Sequence, residues 1–470
     1  MFNFLWIKKQ IKIIKKSGLF DKEYYKAQTN INNNDPIKHY VKEGWKNGLN
    51  PCKNFDTNFY INTYKDVQKS KMNPLVHFIK IGCKEGRKPN KSADTNYEIR
   101  DDCFIQYNEH SQLKTDIKLI AFYLPQFHPF PENDLWWGKG FTEWTNATKA
   151  IPNFEGHYQP HLPIHNGFYD LRIPEVMIEQ AKLAKNYGIY GFNFYYYWFD
   201  GKILMYRPFE ILLEHKEIDI NFCITWANEN WTRTWDGQEK EILIEQNHSI
   251  ADSEAFIKSL YKFFNDQRYI KIDNKPVLII YRADLIPNLT NIIQMWRDKA
   301  KKAGYGGLYI ICTNATRLKK INTKDFDAIM EFPPHNIPQP PIMNEIVFSN
   351  KNFSGNIYDY QQVVKNTINI EETNYKLFKT AMLSWDNTAR RQDNGTTFHN
   401  FSLKAYEEWL DAIIKHTKEN NTLNPDEKII FINAWNEWAE GTHLEPDRKY
   451  GYGYLETTYN ALKNNISNIF

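Results

Sequence analysis

The stretch that decides the fold is Lys428-Ile-Ile-Phe-Ile-Asn-Ala-Trp-Asn-Glu-Trp-Ala-Glu-Gly441. It begins with a short apolar run that is typical of a β-strand covered on both faces. Glu437 and Glu440 follow, three residues apart, with Trp435 and Trp438 beside them. Cleavage of a glycosidic bond needs such a pair, because one carboxyl gives a proton to the leaving oxygen while another supports attack at the anomeric carbon. Indoles offer apolar faces to a sugar ring and raise the pKa of a neighbouring acid. We therefore predict that Glu437 and Glu440 are catalytic; the alternative is an acidic loop between strand and helix.

Similar apolar runs precede this stretch from residue 117 onward, separated by longer helical patterns. The predicted strands cover residues 118–127, 189–197, 221–227, 276–281, 308–312, 328–332, 380–385 and 428–434. The predicted helices include residues 174–187, 252–265, 289–303, 359–367 and 401–418. Eight strands alternating with helices predict an α/β fold, a (β/α)8 TIM barrel, rather than an open sheet. Neither a GxGxxG nor a GxxxxGK loop is present, so dinucleotide and P-loop functions lose their main support.

Aromatic and polar side chains cluster after most of these strands, at the end where barrel enzymes build their sites. Several such clusters on one rim favour a substrate-binding surface over core packing alone. The residues that we predict to contact substrate are Tyr123, Gln126, His128, Trp137, Glu143, Trp144, Tyr196, Trp198, Trp226, Asn228, Glu229, Asn230, Trp231, Arg233, Trp385, Asp386, Trp435, Asn436 and Trp438.

Some charged residues in these clusters have two interpretations. Glu143 and Glu229 are either acids of the site or salt-bridge partners of basic neighbours. Arg390 and Arg391 either hold an anionic group or form a solvated pair, which is the default. Four histidines cluster in the sequence, namely His128, His157, His161 and His165, but the proline-broken run 160–165 gives no rigid helix to aim two imidazoles at one ion. We therefore predict no metal and no cofactor.

Composition narrows the function classes further. The formal net charge of +3 over 470 residues gives no reason to expect a nucleic-acid partner. Aromatic residues make up 16% of the chain, an excess that suits carbohydrate as well as core. The five cysteines are odd in number and contain no CxxC pair, which argues against a disulfide framework or a structural zinc site and fits a reducing compartment.

The N-terminal part of the chain is an internal repeat. Residues 19–51 and 54–89 share a Phe-Asp opening, an aromatic pair, a proline, a histidine before an aromatic residue, two glycines and a closing proline. Each copy predicts two short helices that bury their apolar faces against the neighbouring copy. His39 and His77 are predicted to be packed or capping residues, because they lack partners at metal-ligand spacing. We predict a helical repeat module over residues 1–90, a linker over 91–116 and the barrel domain over 117–470.

Residues 1–16 predict a basic amphipathic helix, whose apolar run is too short for a secretory signal. Two roles stay open: peripheral contact with an anionic membrane face, or packing on its own module. The repeat module is expected to serve docking, with polysaccharide-synthesis proteins as candidate partners. A cytoplasmic location is expected, in the cytosol or at the inner face of the membrane.

Five motifs, in residues 120–128, 136–144, 191–198, 226–231 and 435–441, resemble the WbsX-type family. That family is named as glycosyltransferases of bacterial surface polysaccharide and is related to glycoside hydrolase family 99, whose members are retaining endo-α-mannosidases on a (β/α)8 barrel. The resemblance implies that Glu437 deprotonates the sugar 2-hydroxyl, which then attacks the anomeric carbon, and that Glu440 is the general acid/base. The repeat is similar to segments of other polysaccharide-biosynthesis proteins.

These observations predict a carbohydrate-active enzyme of bacterial surface polysaccharide biosynthesis, for lipopolysaccharide O-antigen or capsule, with an oligosaccharide or polysaccharide substrate. It would make or cleave glycosidic bonds, as a glycosyltransferase, a transglycosidase or a retaining hydrolase. The first alternative is a catalytically inactive glycan-binding scaffold of a polysaccharide-synthesis complex, and the second is a metal-dependent hydrolase. If the carboxylate pair is catalytic, one of its members must be buried so that it stays protonated near neutral pH.

Overall fold

The computed structural model describes residues 2–17, 19–28, 35–70, 72–82, 87–91, 104–233, 238–335, 337, 339–368 and 373–466. They form two compact units, Met1–Phe104 and Ile105–Phe470. The first unit is helical and the second is mixed α/β. Among the described residues, no helix combines the length and the hydropathy that spanning a bilayer requires.

The second unit is built around a closed barrel of eight parallel strands. In chain order these strands, β1 to β8, are Lys118–Tyr123, Gly191–Phe199, Asn221–Trp226, Lys275–Ile280, Tyr309–Thr313, Ala328–Met330, Leu377–Met382 and Ile429–Asn433. Each strand pairs in parallel with the next one in the chain, and β1 also pairs with β8, so the sheet closes on itself. This confirms the predicted (β/α)8 TIM barrel.

Short strands and helices complete the barrel unit. Lys202–Leu204 and Lys271–Ile272 pair antiparallel with β2 and β4. The remaining strands form the pairs Trp231–Arg233 with Gln238–Ile244, Asn356–Asp359 with Thr396–His399, and Asn436–Glu437 with Thr442–His443. The helices are Pro131–Trp137, Glu143–Lys149, Pro174–Asn186, Arg207–Glu214, Ile250–Phe264, Leu289–Lys302, Tyr360–Thr367, Thr388–Arg391, Leu403–Glu419 and Gly453–Asn464.

Local sequence explains where several of these elements begin. Ser249, Asp359 and Ser402 accept backbone N–H bonds from the first turns of their helices, which satisfies donors that have no partner within the helix. The strands are buried on both faces, as parallel barrel strands must be. Strand β7 begins and ends three residues before the predicted 380–385. Leu383 still bonds to Asn433 at the end of β8, but the Asp386 backbone N–H bonds to Glu440 in the segment after β8.

The first unit is built from helices, and its two sequence repeats share a tyrosine–histidine contact. The helices are Phe2–Ser17, Lys22–Ala27, Pro36–Lys42, Thr57–Thr63, Lys65–Ser70 and Pro74–His77. Tyr25 bonds to His39 at 2.8 Å, and Tyr60 bonds to His77 at 3.1 Å. These contacts agree with packed histidines rather than metal ligands.

The helix Phe2–Ser17 packs on its own module. Ile14 and Gln10 are buried, and Ile7 and Ile11 contact the same apolar core. Of the two roles that the sequence left open, the structure therefore shows packing for the apolar face. On the opposite face, Lys8, Lys9, Lys12 and Lys15 are exposed.

Part of the predicted linker belongs to the barrel unit. Residues 92–103 lie outside the described residues. Ile105 exchanges backbone hydrogen bonds with Tyr450 and Tyr452, and His110 stacks on Tyr459 with ring centroids 3.9 Å apart. The prediction that residues 91–116 form one linker is corrected accordingly, since Ile105 and the residues after it are tied to the barrel.

Candidate active site

A cavity of about 610 Å³ opens at the carboxyl ends of the barrel strands. Its wall includes residues at or directly after β2, β3, β4, β6, β7 and β8. Aromatic rings form much of this wall: Tyr195, Tyr197, Trp231, Tyr281, Phe332, Tyr358, Trp385 and Phe398. The cavity therefore lies at the end of the barrel where the sequence predicts a site, and it combines aromatic surfaces with charged groups.

Glu437 and Glu440 both line the cavity and share one guanidinium. Arg390 Nη2 donates to Glu437 Oε2 at 2.9 Å, and Arg390 Nη1 donates to Glu440 Oε1. Trp385 Nε1 also donates to Glu440 Oε2, at 3.2 Å. Glu437 is 4% exposed, so one member of the pair is buried.

A third carboxylate lies behind the pair. Glu143 is 0% exposed and accepts bonds from Arg390 Nε and Nη2 at 3.1 and 2.7 Å. Asn146 Nδ2 donates to its other oxygen at 3.1 Å. Glu143 is absent from the cavity wall, so this sequence-predicted site residue contacts the site through Arg390.

Burial and neighbouring charges shift the pKa of Glu437 and the pKa of Arg390. Burial raises the pKa of Glu437 to about 8; the Arg390 guanidinium opposes this rise, and the charges of Glu440 and Glu143 add to it. Burial alone would lower the pKa of Arg390, but the three carboxylates hold it above its ordinary value.

A hydrogen-bonded support fixes the loop that carries both acids. Gly441 follows Glu440 with φ +60°, a left-handed conformation that favours glycine. A Cβ at Gly441 would lie 3.1 Å from the Asp386 Cβ, so the two loops approach closely. The Asp386 backbone N–H donates to the Glu440 carbonyl at 2.7 Å. Trp438 Nε1 donates to the buried Glu445 at 2.7 Å.

The structure brings six of the predicted site residues to the cavity wall: Glu229, Asn230, Trp231, Trp385, Glu437 and Glu440. The other predicted residues whose side chains are described do not line this cavity: Tyr123, Gln126, His128, Trp137, Glu143, Trp144, Tyr196, Trp198, Trp226, Asn228, Asp386, Trp435, Asn436 and Trp438. The side chain of Arg233 lies outside the described residues.

Three of the aromatic residues outside the wall pack on the helices around the barrel. Trp226 stacks on Phe256 at 4.2 Å, and Trp198 Nε1 donates to Asp252 at 2.7 Å. Tyr196 packs against Phe209. Because side chains alternate between the two faces of a strand, these residues point away from the barrel axis. The prediction that they contact substrate in this cavity is corrected.

Other predicted residues position the backbone around the site. Asn436 bonds to both backbone groups of Leu124, at 2.7 and 3.0 Å. Asn228 does the same for Arg282, at 2.8 Å in both directions. Asp386 is paired with His157. For these residues too, direct contact with substrate in the cavity is corrected to a supporting role.

The remaining predicted residues outside the wall also have protein partners. Tyr123 donates to Gln180 at 2.6 Å, and Trp144 donates to the Tyr169 carbonyl at 2.9 Å. Gln126 and His128 are buried, and burial lowers the pKa of His128 to about 4. The rings of Trp137 and Trp435 pack on Phe141 and Phe192, respectively.

Sequence reasoning did not select several residues of the wall: Tyr195, Tyr197, Tyr281, His335, Arg390 and Asn433. Tyr195 and Tyr197 stand on either side of the selected Tyr196. The run of tyrosines therefore indicated this part of β2, but the sequence did not show which of their side chains face the cavity. The sequence indicates Arg390 only as an anion-holding or solvated residue. Its carboxylate partners could not be read from the sequence, because Glu143 is 247 positions away.

The clustered histidines have separate partners. His161 Nδ1 lies 2.8 Å from His443 Nε2, and His165 bonds to Tyr452 at 2.8 Å. Within the described residues, His161, His443 and Asp447 are close enough for a metal ion. None of the three lines the cavity, and the two imidazoles already contact each other. This arrangement fits a buried hydrogen-bond network that supports the loop after Glu440.

The chain belongs to the Glycosyltransferase WbsX family, whose model matches residues 119–458. This confirms the resemblance that the five sequence motifs indicated. Two curated relatives, both described as "Uncharacterized protein WxcX", come from two strains of Xanthomonas campestris pv. campestris. Each is 40% identical over 344 residues, which are 73% of this chain and 49% of the relative. The chain thus spans about half the length of the curated relatives that it matches.

Solved structures similar to this chain include a "Glycoside hydrolase-like protein", with a TM-score of 0.48 and 16% identity over 77% of this chain and 98% of that one. The GH99 endo-alpha-mannosidase from Bacteroides thetaiotaomicron aligns with a TM-score of 0.44 and 15% identity, covering 74% of this chain and 97% of that one.

Proposed function

We propose that the protein is a carbohydrate-active enzyme of bacterial surface polysaccharide biosynthesis, for lipopolysaccharide O-antigen or capsule. It makes or cleaves glycosidic bonds with Glu437 and Glu440. The observation that carries this proposal is that both carboxyls line one aromatic cavity and contact the same guanidinium. Family membership supports the substrate class, since the family is described as a glycosyltransferase.

The two carboxyls supply the two functions that the chemistry needs. A protonated carboxyl donates its proton to the leaving oxygen, while an ionised one supports attack at the anomeric carbon. In this site one acid is buried and the other is more open, with side-chain exposures of 6% and 26% for Glu437 and Glu440. Different environments are how neighbouring carboxyls acquire different protonation states.

The cavity wall supplies the binding surface. Trp231, Tyr197 and Trp385 present rings on which the C–H faces of a sugar stack. Asn230 and Asn433 provide amides that bond to hydroxyls. Asn433 Oδ1 is buried and has no protein partner among the described residues, so a sugar hydroxyl would satisfy it.

The experiment that tests this function is a product analysis by mass. Purified protein is incubated with surface polysaccharide or its oligosaccharides, with and without nucleotide sugars. New longer glycans indicate transfer, and shorter ones indicate hydrolysis. A parallel incubation with EDTA is expected to leave the rate unchanged, and loss of activity there would favour the metal-dependent alternative. If no glycan changes under any condition, the proposed function fails.

We propose that the first unit positions the enzyme at a membrane face and beside polysaccharide-synthesis proteins. The exposed Lys8, Lys9, Lys12 and Lys15 would contact an anionic membrane face, while the repeats dock polysaccharide-synthesis proteins. Co-sedimentation with vesicles of anionic phospholipid tests the first point. Binding should fall when Lys8, Lys9 and Lys12 are replaced by serine, and unchanged binding would contradict it.

A further inference from the structure

The cluster around Arg390 contains more acids than bases. One guanidinium contacts three carboxyl groups, those of Glu143, Glu437 and Glu440. If all three were ionised, the buried cluster would carry two uncompensated negative charges. Burying charge without a partner is costly, so such groups take up protons instead. The contacts that each carboxyl makes decide which of them takes up the proton.

The hydrogen bonds are distributed unequally. Glu143 accepts two bonds from Arg390 and one from Asn146. Glu440 accepts one bond from Arg390 and one from Trp385, and its side chain is 26% exposed to the cavity. Glu437 accepts a single bond from Arg390, and its side chain is 6% exposed. Donated hydrogen bonds and solvent both favour the ionised form of a carboxyl.

We infer that Glu143, acting through Arg390, is a positioning residue that leaves the proton on Glu437 in the substrate-free protein. Glu143 occupies two of the guanidinium bonds, so less of the positive charge is available to Glu437. This inference rests on the proposed function and deepens it by assigning the proton within the same carboxylate pair. A proton on Glu437 differs from the state that the family resemblance implies, in which Glu437 is the base.

Among the described residues, the other titratable groups that face Glu437 are the phenols of Tyr195 and Tyr197. Burial raises the pKa of both phenols above the ordinary value, so they are neutral near pH 7. The proton count of the pair therefore depends on Arg390, Glu143 and Glu440.

Infrared difference spectroscopy tests the inference without any need for turnover. The C=O stretch of a protonated carboxyl is recorded against pH for wild type and Glu437→Gln. Their difference isolates Glu437 from Glu445 and Asp447, which are also buried carboxyls. A protonated band is expected in this difference at pH 7. In the Glu143→Gln background, the midpoint of the band should move down by roughly one pH unit or more, because a like charge is removed from the cluster.

A surface variant provides the matched control. Glu179→Gln removes a carboxylate that is 47% exposed, and it should leave the midpoint where wild type has it. The inference is overturned if the wild-type difference contains no protonated band at pH 7, or if a folded Glu143→Gln protein keeps the wild-type midpoint. Should Glu143→Gln fail to fold, the first comparison alone still tests where the proton lies. An inactive protein with the expected spectra would remove the proposed function and leave the proton assignment intact.

Discussion

Arg390 holds the carboxylates of the site together. It is 6% exposed and contacts Glu143, Glu437 and Glu440. Replacing it by methionine keeps the volume of the side chain but leaves buried acids without their cation. We expect Arg390→Met to lower the free energy of unfolding by about 3–5 kcal/mol at pH 7, as measured by urea denaturation.

Two comparisons sharpen this test. Arg172→Met removes a guanidinium whose side chain is 51% exposed and pairs with Asp170, so it should cost less than about 1 kcal/mol. The loss in Arg390→Met should shrink near pH 5, because protonation then neutralises the abandoned acids. A cost equal to that of Arg172→Met would show that the cluster is not the buried ion network described above.

Two adjacent tyrosines test which face of β2 binds substrate. Tyr197 lines the cavity, whereas Tyr196 packs against Phe209 and Phe263. Tyr197→Leu should weaken glycan affinity by roughly three- to tenfold, as loss of one ring contact predicts. Tyr196→Leu should leave affinity unchanged and lower thermal stability. Isothermal titration calorimetry with a surface oligosaccharide separates the two, and equal affinity losses would contradict the assigned faces.

At the scale of elements, the sharp turn after Glu440 joins the two final loops of the barrel. Gly441→Ala must adopt φ +60°, which costs roughly 1–2 kcal/mol, and its Cβ would also press on Asp386. Gly167 has φ +58° and no atom within 4 Å of an added Cβ. We therefore expect Gly441→Ala to lose more stability than Gly167→Ala in urea denaturation. Equal losses would mean that the contact with Asp386 carries no energy.

The sequence predicted the elements well because strand and helix periods are local signals. Residues 174–187 and 289–303 were predicted as helices and are observed as Pro174–Asn186 and Leu289–Lys302. The sequence could not show which side chains of β2 point towards the barrel axis, because Gly191–Phe199 is apolar or aromatic at nearly every position. A strand buried on both sides shows no alternation of polar and apolar residues, so the sequence does not show which residues lie on which face. The partners of Arg390 were hidden for another reason, since they meet only when the barrel closes.

At the scale of the whole molecule, buried carboxyls make stability depend on pH. Burial raises the pKa of Glu437 to about 8 and the pKa of Glu445 and Asp447 to about 7. A carboxyl with a raised pKa in the folded state contributes stability that is complete below its unfolded value and is lost as pH rises through the folded value. Burial lowers the pKa of His161 to about 3, so this histidine makes stability rise with pH, but only up to about pH 6.5.

The free energy of unfolding should therefore fall between about pH 6.5 and pH 8. Denaturant titrations at steps across this interval measure the slope. In Glu437→Gln the slope should be smaller, because that variant no longer releases the Glu437 proton. A stability that is constant or rising over this interval in wild type would contradict the raised values.

The central claim is that Glu437 and Glu440 perform chemistry on a glycan, and turnover compared with affinity tests it most directly. Wild type and Glu440→Gln are incubated with the same surface oligosaccharide, with product mass and binding constant measured for both. We expect Glu440→Gln to lose about 10²–10⁴-fold in rate, the contribution typical of a general acid or base, with nearly unchanged affinity. Equal turnover and equal affinity would contradict the claim and favour the glycan-binding scaffold.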